Sequence, residues 1–275
     1  MIEIAVNTDN FRSECRPTAY ALDWASQNGL DKIELTAVNG EDFYEGLGFS
    51  PAISLNCDAL ALQRAIEKRG LSVSQLDCSY GIHRWEVIPY MINGIKVAHS
   101  LKCPYIDVTD GAEVPENMSL DDEYNRAIYH IGEALPYAKS YGVGINIEPH
   151  GPLTQNVELM IKMMKHFNDP LIGINFDTGN SFVAGNDPVE MAKELLPWIR
   201  HFHVKDVAPE LGKQIGEEMG IAASLVHVGQ GINADNIKDI VAMLKARRWS
   251  GVMSLEASGE NLTLKSLEWF RAIVN

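Results

Sequence analysis

Four short apolar runs in the second half of the chain each lead into residues that can bind a metal ion. They lie at 143–151, 171–180, 199–206 and 251–256, and they contain Glu148, Asp177, His203 and Glu256. Helix-like sequence separates successive runs, and strands that alternate with helices favour a parallel sheet. This repeat places the chain in the α/β class.

The parity of these runs predicts how each strand is oriented. Successive side chains of a strand point to opposite faces. Asn146 and Glu148 therefore share one face, and Ile145 and Ile147 share the other. The later runs alternate in the same way, and their polar faces carry Asn175 and Asp177, then His201, His203 and Lys205, then Ser254 and Glu256. Each strand thus has an apolar face for helices and an inward face that we expect to be polar only near its carboxyl end.

The whole chain contains eight such strand–helix units. Predicted strands lie at 2–7, 32–36, 71–78, 105–109, 143–148, 171–177, 199–206 and 251–256. Predicted helices lie at 17–27, 58–68, 86–101, 120–140, 156–167, 187–196, 235–247 and 262–273. Eight units in 275 residues, with no linker between them, predict a (β/α)8 TIM barrel that forms one domain, 1–275. A doubly wound sheet is the alternative, but no G-x-G-x-x-G motif follows the first strand.

Two further segments are predicted to be irregular. Residues 42–54 are rich in Gly and aromatic residues, which is typical of a loop over the barrel mouth. Residues 207–226 precede Gly229-Gln230-Gly231, which could bind an anion but is better explained as a plain turn.

Charge and cysteine content exclude several classes of partner. The formal net charge is -14, from 23 Lys+Arg against 37 Asp+Glu, and such a surface repels nucleic acid. The four cysteines form no CxxC pair, which is typical of reduced thiols in a cytosolic protein. Neither a signal peptide nor a membrane-spanning run is evident. We therefore expect a cytoplasmic protein with no nucleic-acid or membrane partner.

The four strand-end groups together predict a metal site. Three carboxylates and one imidazole, from Glu148, Asp177, His203 and Glu256, would meet on one rim of the barrel. Buried charges need partners, and a cation is a common one. An oxygen-rich site favours Mn²⁺, with Mg²⁺ or Co²⁺ as alternatives. We expect one divalent cation per chain.

The same motifs resemble a known family. Ile147-Glu148-Pro149-His150, Asp177-Thr178-Gly179-Asn180, His203-Val204-Lys205-Asp206 and Glu256 resemble the sugar phosphate isomerase/epimerase family of xylose-isomerase-like TIM barrels. That family includes ketose 3-epimerases, hydroxypyruvate isomerases, inosose dehydratases and 3-dehydroshikimate dehydratases. The resemblance covers essentially the whole chain. It implies that the same four residues bind the metal, and that Glu148 and Glu256 also move protons.

Five further residues are predicted to contact the substrate: His150, Lys205, Asn180, His83 and Glu34. An exposed loop histidine is an equal alternative for His150, and a structural role is an equal alternative for Glu34 and His83. For Lys205 the alternative is a rim lysine paired with an acid. His201 is better explained as a satisfied core histidine. The sequence departs from the ketose 3-epimerases at Asn180, where they have His, and at Pro209, where they have Arg. Both groups contact substrate hydroxyls in those enzymes, so these departures weigh against a free-ketose 3-epimerase.

These features predict a metal-dependent isomerase or epimerase that acts on a small polyhydroxylated keto compound. One glutamate would take a proton next to a carbonyl that the metal polarises, and the other would return a proton to the enediolate. A lyase that dehydrates a keto-sugar, an inosose or 3-dehydroshikimate is the alternative, because its first step is the same.

The sequence also weighs against two other functions, and it suggests a partner and an oligomeric state. Apurinic endonucleases share the fold but have Asp-Arg-His where this chain has Leu225-Val226-His227. A sugar-binding barrel without catalysis is disfavoured by the complete ligand set. The expected partner is a small sugar or keto-polyol without phosphate. We also expect a homo-oligomer, a dimer or tetramer, whose interface would cover residues 42–54.

Overall fold

The computed structural model describes residues 1–38, 51–111, 118–213 and 225–275. Nine strands run through the described part of the chain: β1 Ile2–Val6, β2 Lys32–Val38, β3 Ile53–Ser54, β4 Ser72–Asp77, β5 Tyr105–Thr109, β6 Gly144–Glu148, β7 Ile172–Asp177, β8 Ile199–Val204 and β9 Gly251–Leu255. Eight of them lie where strands were predicted. The ninth, β3, falls inside the predicted loop 42–54, so that prediction was wrong at 53–54.

All strand pairs are parallel, and their order around the sheet is β1-β9-β8-β7-β6-β5-β4-β2-β3. A single parallel bridge between Asn7 and Glu34 joins the end of β1 to β2. Eight strands therefore follow one another in a ring, while the two-residue β3 pairs only with the end of β2. All eight carboxyl ends lie at the same mouth, as the barrel geometry requires.

Helices connect the strands and cover their outward faces. They are α1 Thr18–Gln27, α2 Ala59–Glu67, α3 Val87–Ser100, α4 Leu120–Tyr141, α5 Val157–Phe167, α6 Thr178–Val183, α7 Pro188–Leu195, α8 Ala234–Ala246 and α9 Glu260–Val274. The six-residue α6 was not predicted, and neither was the 3₁₀ helix at Thr8–Glu14. Among the described residues, no helix combines the length and apolarity that a membrane crossing requires.

The ends of α4 show how local sequence sets a helix boundary. The Ser119 side chain accepts from the backbone N–H of Asp122, and the Asp122 carboxylate accepts from the backbone N–H of Ser119. This reciprocal capping box satisfies two amides at the start of the helix. At the other end Gly142 has φ 68°, a left-handed conformation that glycine adopts without strain. The helix ends at Tyr141, one residue beyond the predicted end at 140.

Two layers of side chains fill the molecule. The apolar strand faces pack against the helices, and Phe11, Phe176, Phe202 and Phe270 are among the largest buried side chains there. The inward faces are polar well below the mouth, with buried Gln75, Asp107, Asn146, Asn175 and His201. The expectation that the inward face is polar only at the mouth was therefore wrong.

Three predicted features lie wholly or partly outside the described residues. The part of the predicted loop at 42–50 is one, and the part of the irregular stretch at 214–224 is another. The third is the surface near 42–54 that an oligomer was expected to cover, of which only 51–54 are described.

Candidate active site

His203 lies at the centre of the mouth, at the end of β8, and only 1% of it is exposed. Its Nδ1 atom lies 3.0 Å from Glu148 Oε1 and 3.3 Å from Glu256 Oε1. Its Nε2 atom lies 2.9 Å from Glu34 Oε1. Three carboxylates from β2, β6 and the end of β9 therefore converge on one imidazole.

Glu148 ends β6 and is held by several donors. Besides His203, its Oε1 atom lies 3.2 Å from His150 Nε2 and accepts a hydrogen bond of 3.2 Å from Asn180 Nδ2. All of these neighbours approach the same carboxylate oxygen. The contacts therefore orient the Glu148 side chain toward the interior of the mouth.

Asp177 ends β7 and has two roles in the structure. Its Oδ1 atom accepts from the backbone N–H groups of Gly179 and Asn180 at 2.7 and 2.9 Å, which caps α6. Its Oδ2 atom lies 3.0 Å from Lys205 Nζ. The unpredicted α6 thus fixes the carboxylate of Asp177, because an N-cap side chain has its oxygen held by the first helical amides.

Lys205 links two of the candidate metal ligands. Its Nζ atom lies 2.6 Å from Glu256 Oε2 and 3.0 Å from Asp177 Oδ2, and it donates to Asn180 Oδ1 at 3.4 Å. The side chain is 9% exposed, so this is a buried ammonium group and not a lysine on the rim. Lys205 was predicted to share the inward face with His203, and it therefore lies in the same cluster.

The mutual proximity of these groups shifts their pKa values. Burial would lower the pKa of His203, but the carboxylates of Glu256, Glu34 and Glu148 raise it well above its ordinary value. Burial would raise the pKa of Glu148, but His150 and His203 hold it well below its ordinary value. Burial raises the pKa of Asp177, and Lys205 opposes the rise. The positive groups therefore stabilise the charged form of Glu148, whereas burial outweighs them at Asp177.

The donor set fits a divalent cation. Ligand atoms of Asp177, His203 and Glu256 all lie within 4.8 Å of one another, and so do those of Asp107, Glu148 and His203. Carboxylate oxygens with one imidazole nitrogen are the ligands that hard divalent cations prefer. The four residues predicted as ligands are thus brought together around the His203 ring.

A polar floor lies below the cluster. Asn146 Nδ2 donates to Gln75 Oε1 at 2.7 Å, and Asn175 Nδ2 donates to Asp107 Oδ2 at 2.9 Å. His201 Nδ1 lies 2.9 Å from Asn175 Oδ1, and its Nε2 lies 3.3 Å from Ser74 Oγ. His201 is therefore a satisfied core histidine, as predicted. These bonds fix the floor because buried polar groups need partners.

His150 is held against Glu148 by the loop that follows β6. Its backbone N–H donates to Thr154 Oγ1, and Asp110 binds this loop through the backbone amides of Gly151, Leu153 and Thr154. The side chain of His150 is 14% exposed. The alternative of an exposed loop histidine was therefore wrong.

His83 is placed differently from the other candidates. Its Nδ1 atom lies 2.8 Å from the backbone carbonyl of Asp110 and 3.9 Å from Glu123 Oε1. None of its contacts within the described chain reaches the cluster around His203. The structure thus brings Glu34, His150, Asn180 and Lys205 together and leaves His83 at the side of the mouth.

The Gly229–Gly231 turn is occupied by a carboxylate of the chain itself. Asp206 Oδ2 accepts from the backbone N–H groups of Gly229 and Gly231 at 2.9 and 2.8 Å. These amides are the groups that an anion would need. The segment is therefore a plain turn, as favoured from the sequence.

Two site residues were missed by the sequence argument. Asn7 Nδ2 donates to Asp77 Oδ2 at 2.8 Å and to Glu256 Oε1 at 3.3 Å. Asn7 follows β1 directly and Asp77 ends β4. The signal was available, because both are polar residues at the carboxyl ends of predicted strands, where the four candidate ligands were found.

The sequence of the chain is similar to those of proteins with known names. The sequence profile described as xylose isomerase-like TIM barrel matches residues 22–273. An inosose dehydratase from Clostridium botulinum (strain Alaska E43 / Type E3) is 26% identical over 155 residues, 54% of this chain and 52% of that protein. The chain thus spans about half the length of this relative.

Two solved structures share the fold over the full chain. A D-tagatose 3-epimerase-like protein has a TM-score of 0.78 at 17% identity, with 99% of this chain and 97% of that chain covered. The IOLI protein with a bound zinc atom has a TM-score of 0.78 at 16% identity, with coverages of 99% and 98%. The predicted TIM-barrel fold and the resemblance stated from the motifs are confirmed. Because the profile match extends over residues 22–273, the chain belongs to the xylose isomerase-like TIM barrel family.

Proposed function

We propose that the chain is a divalent-metal-dependent isomerase or epimerase of a small, uncharged, polyhydroxylated ketone. One observation carries this proposal. Glu148 and Glu256 approach the same Nδ1 atom of His203 at 3.0 and 3.3 Å, with Asp177 completing the donor set. Two carboxylates beside one cation site provide both the ligands and the bases that such a reaction needs.

Glu148, Asp177, His203 and Glu256 would hold the cation, with Mn²⁺ expected first and Mg²⁺ or Co²⁺ as alternatives. When bound, a divalent cation polarises a carbonyl and makes the neighbouring C–H more acidic. The solved structure of the IOLI protein, which shares the fold, contains a bound zinc atom, and this supports a divalent metal ion for this chain.

The remaining steps belong to the chain's own side chains. Glu148 ends β6 and Glu256 follows β9, and these two strands are separated in the sheet by β7 and β8. A planar enediolate between them would present one face to each carboxylate, so one could take a proton and the other return it. His150, at 3.2 Å from Glu148, and Lys205, at 2.6 Å from Glu256, would donate hydrogen bonds to substrate oxygens. Asn180 would do the same from α6.

The charge of the mouth favours an uncharged substrate. Within the described chain, the ammonium or guanidinium group that touches the cluster is Lys205, and Asp177 and Glu256 already neutralise it. A phosphate or carboxylate on the substrate would be repelled by the carboxylates of Glu148, Asp177 and Glu256. This weighs against sugar phosphates and against 3-dehydroshikimate, which is a carboxylate.

Dehydration of an inosose is the second candidate, and the similarity to an inosose dehydratase favours it. Proton removal beside a carbonyl is common to both reactions. The outcomes differ only in whether the second carboxylate returns a proton to carbon or protonates a departing hydroxyl group. Asn180 and Pro209, where the ketose 3-epimerases have His and Arg, are compatible with a substrate other than a free ketose.

The test is a substrate panel run on metal-stripped protein before and after reloading with Mn²⁺. Uncharged ketoses and inososes would be compared with phosphorylated and carboxylated counterparts in D₂O. We expect turnover only after reloading, only with uncharged compounds, and with deuterium next to the carbonyl of an isomer or epimer. Release of water with formation of a conjugated product would select the dehydratase. A preference for a phosphorylated compound would contradict the charge argument.

Three further predictions concern the protein as a whole. Residues 1–275 are expected to form one domain, the protein is expected in the cytoplasm, and a dimer or tetramer is expected. Light scattering at micromolar concentration measures the last of these directly.

A further inference from the structure

Glu34 is the carboxylate that contacts the Nε2 side of the His203 ring. It belongs to β2 and is fully buried. Its Oε1 atom lies 2.9 Å from His203 Nε2 and accepts a hydrogen bond of 2.9 Å from Gln75 Nε2. The candidate metal ligands Glu148 and Glu256 face the opposite nitrogen, Nδ1. Glu34 therefore contacts a candidate ligand without facing the candidate cation site.

This arrangement decides which nitrogen of the imidazole can bind a cation. A neutral histidine carries one N–H and one lone pair. If Nε2–H donates to Glu34, the lone pair is on Nδ1, which is the atom that faces Glu148 and Glu256. The hydrogen bond also fixes the rotation of the ring, because Glu34 is itself held by Gln75. Gln75 in turn accepts from Asn146 at 2.7 Å.

We propose that Glu34 is the positioning residue of the metal centre: it fixes His203 in the tautomer and orientation in which Nδ1 binds the cation. This inference rests on the metal centre of the proposed function. It replaces the sequence-based prediction that Glu34 contacts the substrate. Glu34 is fully buried, and its bonded neighbours include His203 and Gln75, so its carboxylate is closed to substrate in this structure.

The energetic consequence follows from the general behaviour of metal-bound histidines. Their second nitrogen commonly donates to a carboxylate, and loss of that partner typically weakens metal binding by about 10-fold to 100-fold. Removal of Glu34 should therefore act on metal affinity and on the ligand field. If Glu34 contacted the substrate, its removal would instead change the KM of the metal-loaded enzyme. Metal affinity and the ligand field would then stay as in the wild type.

The experiment is titration of the metal-free protein with Co²⁺, whose visible absorption spectrum reports the ligands of the ion. Glu34→Gln keeps the shape of the side chain and removes its charge. Glu34→Asp keeps the charge and withdraws the carboxylate from His203 by one methylene. Glu123→Gln is the matched control, because Glu123 is also a fully buried glutamate but contacts the His83 side of the mouth. Circular dichroism and thermal melting of the metal-free forms establish that each variant is folded.

We expect the wild type and Glu123→Gln to bind Co²⁺ with the same affinity and spectrum. Both Glu34 variants should bind it about 10-fold to 100-fold more weakly, with a changed visible spectrum. Folded Glu34 variants that bind Co²⁺ as the wild type does would overturn the inference and leave the metal centre intact. If Glu34→Gln does not fold, Glu34→Asp decides in the same way. Failure of the wild type to bind Co²⁺ would overturn the metal centre, and with it the role of Glu34.

Discussion

At the scale of single residues, the mouth concentrates carboxylates whose charges are balanced by a few shared partners. His203 contacts Glu34, Glu148 and Glu256, while Lys205 contacts Asp177 and Glu256. Removal of one partner from such a buried set leaves an uncompensated charge, which costs more than the pair contributes. Substitutions that keep the shape of the side chain are therefore the informative ones at this site.

The first prediction concerns the two glutamates proposed to move protons. Gln keeps an oxygen for a cation but cannot accept a proton at that position. We expect Glu148→Gln and Glu256→Gln each to lower kcat by about 100-fold or more, because positioned acid–base catalysis contributes about 100-fold to 10,000-fold. Steady-state kinetics on Mn²⁺-loaded protein, with bound metal measured by elemental analysis, checks this.

In the two-base scheme, Glu148 and Glu256 each move a proton. Near-wild-type turnover by either variant with a full complement of metal would contradict this scheme. If a variant loses its metal, the incorporation of solvent deuterium by the wild type tests proton transfer instead. Absence of deuterium at the reacting carbon of the product would then reject the scheme.

At the scale of elements, two buried aspartates attach mouth loops to strand ends. Asp110 accepts from three backbone amides of the loop after β6, as described above, and Asp206 does the same for the segment that leads into α8. Asp206 Oδ1 binds the N–H groups of Val207 and Asn233, and Oδ2 binds those of Gly229 and Gly231. Hydrogen bonds to a charged acceptor contribute about 1.5–3 kcal/mol each, although not additively.

The second prediction follows from these bonds. We expect Asp206→Ala to lower the free energy of unfolding by about 3 kcal/mol or more, because two buried and two part-buried amides would lose their acceptor. The matched control is Asp235→Ala, since the Asp235 side chain is 93% exposed and its ion pair is with Lys238. That change should cost less than about 1 kcal/mol. Urea denaturation of both variants measures the difference, and equal stability of the two would contradict the role of Asp206.

The elements also show what the sequence can and cannot predict. The eight barrel strands and the parity that gathers Asp177, His203 and Glu256 were predictable, because burial of one strand face imposes an alternation visible in the residues. The two-residue β3 and the six-residue α6 were not, since elements so short carry no periodicity and depend on tertiary contacts. The contact between Glu34 and His203 joins β2 to β8, which only the closed ring of strands brings together.

At the scale of the whole molecule, folding buries an acid, Glu123, that accepts no hydrogen bond from the described part of the chain. Glu123, in the first turn of α4, is fully buried, and neither of its carboxylate oxygens has a hydrogen-bond partner within the described residues. His83 is 3.9 Å away and Arg126 donates to the backbone carbonyl of His83. Burial, together with the nearby Asp110 carboxylate, raises the pKa of Glu123 from 4.5 to about 7.

The last prediction is the pH dependence that this group confers on stability. Between pH 4.5 and about 7 the unfolded chain releases the Glu123 proton while the folded protein keeps it. The folded state then binds more protons, so the contribution of Glu123 to the free energy of unfolding falls as pH rises through this window. The slope is up to about 1.4 kcal/mol per pH unit, and the total is on the order of 2–3 kcal/mol. Glu123→Gln lacks this titration, so it should become more stable relative to the wild type between pH 5 and pH 8. Urea denaturation at both pH values measures the relative gain, and Glu133→Gln, an exposed position on the same helix, is the control that should show none. A wild type and a Glu123→Gln variant whose stabilities differ by the same amount at both pH values would show that Glu123 does not titrate in this window.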